Sequence, residues 1–197
     1  MSQTNSIETL IDKLSKLPGI GKKSARRVAY YLLNASKEEV ITLAQSISNI
    51  KEKMRFCSVC YNISESELCN ICSNPQRDHS LICVVEQAND ILIIEKTNEY
   101  KGLYHVLGGV ISPLDNVGPE KLKIKELLDR TEKDIKEVII AVNPSSEGDA
   151  TIQYLLKLLK PKVPKISILA RGIPVGGDLE YSDQVTVARA ITGRVDI

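Results

Sequence analysis

Apolar positions recur at helical spacing from the start of the chain: Ile7, Leu10, Ile11, Leu14 and Leu17 share one face of a first helix. The pattern stops at Pro18-Gly19-Ile20-Gly21 and resumes at Ala25, Val28, Ala29, Leu32 and Leu33, which predicts two helices joined by a tight glycine turn. A third helix is predicted from Ser36, which with Glu39 makes a capping box, and from the apolar face Val40, Leu43, Ala44, Ile47 and Ile50. Beyond residue 80 the period changes. Short apolar runs at 81–86, 103–107, 138–142 and 166–170 alternate with helical segments at about 88–96, 119–133 and 147–160, the order of an α/β domain with a largely parallel sheet. The first, third and fourth runs are continuous rather than alternating, as strands buried on both faces are. From Arg171 a glycine-rich loop leads into a short helix predicted at about 182–192.

Between these two patterned regions lie four cysteines, Cys57-x-x-Cys60 and Cys69-x-x-Cys72. Two C-x-x-C knuckles each present two thiolates to one tetrahedral ion, and the link between them is long enough to fold back. The alternatives are two disulfides, disfavoured in a reducing cytoplasm, and four unrelated buried thiols, disfavoured by the paired spacing. Four thiolates close the coordination shell and leave no position for water, so the spacing predicts a single structural Zn2+ per chain rather than a catalytic one. Cys83 stands apart in Leu81-Ile82-Cys83-Val84-Val85 and reads as a small buried hydrophobe.

Composition adds bounds. The chain has 197 residues, 43% hydrophobic and 26% charged, which fits an ordered, soluble chain of one large or two small domains. It contains no apolar run long enough to span a membrane and no signal-peptide layout at MSQTNSIETLIDKL, so a cytoplasmic location is expected. The net charge of +1 hides an asymmetry: residues 1–56 hold ten Lys/Arg against five Asp/Glu, and the remainder holds 16 against 20. One Phe, seven Tyr and no Trp offer few platforms for stacked bases, so contact with nucleic acid should lean on phosphates.

The segment from Leu17 to Val28 supplies that contact. It resembles the helix-hairpin-helix motif, in which glycines (here Gly19 and Gly21) let backbone N–H groups approach a phosphate at a helix N-terminus. Lys22, Lys23, Arg26 and Arg27 follow on the first turns of the second helix, with Lys22/Arg26 and Lys23/Arg27 stacked at i, i+4. Backbone donors and a basic stripe read phosphate and not base, so the expected partner is DNA of any sequence.

In the α/β region, Glu86 ends the first strand and Asn143-Pro144-Ser145-Ser146-Glu147-Gly148-Asp149 follows the third. This resembles the Toprim domain, whose catalytic members hold magnesium with a strand-end glutamate and a D-x-D pair. Glu86 matches the glutamate and Glu147-Gly148 the following E-G, but the pair reads Asn143-x-Ser145, without either carboxylate. Loss of about two negative charges removes the catalytic inference and leaves open only a weak Mg2+ site from Glu86, Glu147 and Asp149. The S-x-x-D spacing of Ser146 and Asp149 favours helix capping for Asp149.

Taken in order, the parts define an α+β multi-part chain: a helical helix-hairpin-helix unit at 1–54, a four-cysteine zinc finger at 55–79, a Toprim-like α/β domain with a mostly parallel sheet at 80–172, and a C-terminal loop and helix at 173–197. This order, with the tail Arg171-Gly172-Ile173-Pro174-Val175-Gly176-Gly177-Asp178-Leu179-Glu180-Tyr181, resembles the RecR family of bacterial recombination mediators over essentially the whole chain. The resemblance implies a non-enzymatic DNA-repair factor that works with RecO and RecF to load RecA onto single-stranded DNA, and that self-associates into dimers or ring-like tetramers. It also implies that Lys23 and Arg27 face DNA and that Glu147 and its acidic neighbours meet RecO. Two other functions fit parts of the sequence. One is a magnesium-dependent Toprim nuclease or primase-like phosphoryl-transfer enzyme using Glu86, Glu147 and Asp149; the other is a zinc-dependent protein-interaction module whose glycine turn is only structural.

Overall fold

The computed structural model describes residues 5–194. The chain forms two compact units, Met1–Met54 and Arg55–Ile197. In the first, α1 (Asn5–Ser15) packs on α2 (Lys22–Asn34), and α3 (Lys37–Lys53) follows. Ala25 and Ala29 are the buried residues of α2, and their small side chains let the helices approach. Ser36 caps α3 by accepting from the Glu39 N–H at 3.2 Å. The reciprocal half of the expected capping box is absent, because the Glu39 carboxylate instead accepts from the Tyr31 hydroxyl at 2.8 Å. The apolar face of α3 exists as read, yet no residue of α3 is buried. Two helices meeting on alanines make too small a core to cover a third face.

In the second unit, β1 (Arg55–Phe56) and β2 (Ile63–Ser64) pair antiparallel around the first cysteine knuckle. Then come β3 (Asp78–Val85), α4 (Ala88–Glu95), β4 (Gly102–Val106), α5 (Ile124–Arg130), β5 (Glu137–Ala141), α6 (Ser146–Leu159), β6 (Lys165–Ile168) and α7 (Gln184–Thr192). The larger sheet has the order β4-β3-β5-β6 with every pairing parallel. Side chains alternate across β3: Ile82 and Val84 join a core with Leu107, Leu127, Leu155 and Leu159, while Cys83 and Val85 join Ile91 and Tyr104 on the other face. Burial on both faces is why β3 reads as an unbroken apolar run. Cys83 is buried and stands outside the cysteine cluster, as its context predicts.

One predicted element divides. The segment expected as a single helix at 119–133 is a 3-10 turn, Pro119–Lys121, followed by α5. Leu122 between them is extended, and the Lys123 N–H donates to the Leu107 carbonyl at 2.9 Å, tying the break to the end of β4. The strand order reverses between β3 and β5, since the chain leaves β3 for β4 on one side and returns to β5 on the other. Loops at the carboxyl ends of such neighbours form a crevice.

Candidate nucleic-acid interface and metal centre

Between α1 and α2 the backbone turns through Gly19, whose φ of +78° belongs to the left-handed region that side chains disfavour. The turn is closed by the Ile20 N–H donating to the Leu17 carbonyl at 3.1 Å. Gly21 is the N-cap of α2 in extended conformation, with no side-chain cap. The N–H groups of Gly21, Lys22, Lys23 and Ser24 consequently have no acceptor among the described residues. A Cβ built on either glycine would meet nothing within 4 Å, so open space lies over these donors. Lys22, Lys23, Arg26 and Arg27 are exposed, and none is committed to an ion pair with a described carboxylate. Free donors at the positive end of a helix and four uncommitted cations suit a phosphate.

In the other unit, the four sulfurs of Cys57, Cys60, Cys69 and Cys72 lie within 4.8 Å of one another, and three of these residues are fully buried. A tetrahedral Zn2+ with Zn–S near 2.3 Å requires sulfurs roughly 3.8 Å apart, so the donors fit that ion. The knuckles are set by backbone turns: the Tyr61 N–H donates to the Cys57 carbonyl at 3.0 Å and the Ser73 N–H to the Cys69 carbonyl at 3.0 Å. Tyr61 adopts a positive φ of 62°, and Asn62 beyond it donates its N–H to Cys60 Sγ at 3.5 Å. The Cys69 N–H donates to Cys57 Sγ at 3.3 Å and the Cys72 N–H to Cys69 Sγ at 3.5 Å. Such donors stabilise thiolates. The hydrogen bond shared by Cys60 and Cys69 Sγ at 3.5 Å raises the Cys60 thiol and lowers the Cys69 thiol, so one sulfur of the pair keeps the proton unless a cation lies among them. The knuckle is bonded into the sheet, because the Val106 N–H donates to the Cys60 carbonyl at 2.8 Å.

The acidic residues behave differently. Glu86 reaches the crevice between β3 and β5, where its Oε1 accepts from the Asn143 N–H at 2.6 Å and its Oε2 from the Asn143 side-chain amide at 2.8 Å. Asparagine thus occupies the strand-end glutamate with its own donors. Asp149 does not cap α6: the N-cap is Ser145, accepting from the Gly148 N–H at 3.0 Å, and Ser146 is already helical. The capping role expected from the S-x-x-D spacing is therefore wrong by one residue. Asp149 instead accepts from Arg171 at 2.5 Å and from Arg189 at 2.8 Å, and hydrogen bonding to the two guanidiniums holds its carboxyl below the usual range. This pair of arginines fastens the C-terminal segment to α6. Among the described residues the four cysteines form the one compact group of potential metal ligands, so Glu86, Glu147 and Asp149 are not gathered into a ligand set. Gly148 is packed so closely on the Asn143 carbonyl oxygen that no Cβ fits there.

His105 and Arg130 escaped the sequence reading, since a lone histidine in an apolar run and an arginine at a helix end carry no spacing signal. His105 is fully buried; its Nε2 donates to the Lys123 carbonyl at 2.7 Å and its Nδ1 accepts from Arg130 Nη1 at 3.1 Å. Those bonds fit only the neutral ring, and burial, reinforced by Arg130, pushes its pKa down to about 4. Because the folded value is depressed below an unfolded value near 6.5, the stability due to neutral His105 is complete above pH 6.5 and is lost as pH falls towards 4, by up to about 3 kcal/mol. His105→Gln keeps a donor and an acceptor without titrating. The stability gap between parent and variant in urea unfolding is expected to shrink from pH 7 to pH 4.5, and a constant gap would contradict the assignment.

Comparison with known proteins places these features in context. The family model described as RecR, helix-hairpin-helix, matches residues 7–51, and that of the RecR zinc finger domain with four cysteines matches residues 54–74. The Toprim domain model matches 80–170, and RecR, C-terminal, 172–195. The chain is 51% identical over 201 residues to the recombination protein RecR of Chloroherpeton thalassium, covering 98% of each chain. It is also 51% identical to that of Bifidobacterium animalis subsp. lactis, covering 100% of this chain and 99% of the relative. With that of Acidothermus cellulolyticus the identity is 51%, covering 95% of each.

Proposed function

Because the chain belongs to the RecR family of recombination proteins, we propose that it is a sequence-independent DNA-binding mediator, acting with RecO and RecF to load RecA on single-stranded DNA without catalysing a reaction of its own. The observation that carries this reading is the uncapped start of α2, where free N–H groups lie beside the exposed, uncommitted cations Lys22, Lys23, Arg26 and Arg27. Backbone donors contact one phosphate and the cations contact its neighbours, so affinity derives from charge and counterion release. Self-association into a dimer or ring, as the family resemblance implies, would set several such sites along one DNA.

Zinc is proposed as a single structural ion held by Cys57, Cys60, Cys69 and Cys72, fixing a segment with few apolar residues onto the edge of the sheet through Val106. The non-catalytic reading is supported by the replacement of both D-x-D carboxylates and by Asn143 holding Glu86. Glu147, whose carboxylate is free of a hydrogen bond among the described residues, is the proposed acidic contact for RecO.

The test is a salt series of binding to a labelled duplex with a single-stranded tail, with magnesium present and the DNA inspected for breaks afterwards. Lys23→Ala with Arg27→Ala is expected to weaken binding by about tenfold at moderate salt on every sequence and to flatten the salt slope by about two. Cut DNA would replace the mediator reading with the phosphoryl-transfer one. An unchanged affinity in the double variant would remove α2 from the interface.

A further inference from the structure

Arg130, the last residue of α5, is half-buried and forms no ion pair with any described carboxylate. Its Nη1 donates to the Tyr104 carbonyl at 2.6 Å and to His105 Nδ1 at 3.1 Å, and both acceptors are neutral. A sheltered cation without an anion is costly, and natural folds seldom leave one uncompensated. Arg130 lines a cavity of about 640 Å3 together with Val59, Leu68 and Cys72 of the cysteine segment and Ile82 and Leu103 of the sheet. The other charged residues of that cavity, Asp78, Lys133, Asp134 and Lys136, are exposed to solvent. The cysteine side has the converse problem. Four thiolates around Zn2+ leave a net charge of about −2, with backbone N–H groups as the immediate donors and no lysine or arginine among the knuckle residues from Cys57 to Cys72.

We propose that Arg130 is the counter-cation of the four-thiolate zinc site, held in place by Tyr104 and His105 so that its charge lies against the metal centre. The inference rests on zinc occupying that site. It accounts for the neutral tautomer of His105, whose Nδ1 lone pair serves as a tether for the guanidinium and leaves the positive charge on Arg130. The tether also reaches the metal segment from its other end, since the Tyr61 ring beside Cys60 meets the His105 ring edge-on at 5.8 Å between centroids. Burial is the largest influence on Arg130 and disfavours its charge, and negative charge on Cys72, Cys60 and Cys57 acts in the opposite sense. Arg130 is thus a positioning residue for the metal centre, supplied by the end of α5 to the cysteine segment.

The full-length protein tests this with Arg130→Gln and Arg130→Lys. Metal analysis of the parent comes first: a parent without one zinc per chain sinks the zinc assignment and this proposal together, whereas a zinc-loaded parent leaves Arg130 to be judged by its variants. Competition of the zinc-loaded proteins against a chromophoric chelator is expected to show zinc held about 10- to 100-fold less tightly in Arg130→Gln. The thiolate-to-metal charge-transfer band of the Co2+-substituted variant is expected to move to lower energy. Arg130→Lys, which keeps the charge and loses the fork, is expected to stay within about threefold of the parent. Unchanged affinity and an unmoved band in Arg130→Gln would reduce Arg130 to a brace for Tyr104 and His105. If Arg130→Gln does not fold, Arg130→Lys decides, because a loss of tenfold or more with the charge intact overturns the proposal.

Discussion

Replacing Cys57 or Cys72 with serine is expected to remove the metal and lower the stability of the second unit by on the order of 3 kcal/mol or more, because the binding energy of a structural zinc is folding energy. Cys57 is fully buried, and its sulfur accepts the Cys69 N–H, so its loss removes a metal ligand and weakens one of the hydrogen bonds that join the two knuckles. The knuckle carbonyl of Cys60 is also the acceptor for Val106 at the end of β4, which carries the damage into the sheet. Metal content and thermal unfolding check the expectation together. A Cys72→Ser protein that melts with the parent and holds a full equivalent of zinc would show that three thiolates suffice and that the segment does not depend on the fourth. A chelator strong enough to strip the parent should reproduce the effect of the substitution.

The second large effect is expected at Gly148, where alanine would set its methyl group onto the Asn143 carbonyl oxygen. The obstacle is the backbone of Asn143 rather than the end of a flexible side chain, so Gly148→Ala should cost about 3 kcal/mol, at the upper end for overpacking. The strain has a specific local outlet, since moving Asn143 breaks its paired hydrogen bonds to Glu86 and the Ser145 cap of α6 lies in the same loop. Urea unfolding measures the loss. A variant as stable as the parent would mean that the loop accommodates the methyl group by a shift that keeps Asn143 on Glu86.

Much of this architecture was legible in the residues, for identifiable reasons. Cysteine spacing is read almost directly, since ligand geometry restricts the chain to a few separations. The strands are visible in their buried stretches, Ile82–Val85 of β3 and Val138–Ala141 of β5, which are wholly apolar, whereas the exposed start of β3 at Asp78-His79 gives no such signal. The glycine turn announced itself through Gly19, which the left-handed backbone requires. What stayed hidden depends on partners distant in sequence. Asp149 looked like a cap because its neighbours have the right spacing, yet Arg171 and Arg189 claim its carboxylate from the C-terminal segment. The break at Leu122 is invisible to periodicity because its cause is the Leu107 carbonyl on the end of β4. His105 and Arg130 carry meaning only as a pair, and no local pattern joins them.

The all-parallel sheet also orders events in time. A parallel pairing cannot be closed by a hairpin, and here Leu103 must find Ile82, and Glu137 must find Leu81, across intervening helices. The helices of Met1–Met54, by contrast, meet neighbours a few residues away along the chain. Contacts between near neighbours form fast and contacts across long loops form slowly. On a growing chain the N-terminal helices and both cysteine knuckles emerge before β5 has been made, so the metal segment is complete while the central strand β3 still lacks one of its two partners. A finished knuckle offering the Cys60 carbonyl to Val106 gives β4 a fixed point to dock on, and an early capture of zinc thereby shortens the search that the slow half of the molecule has to make.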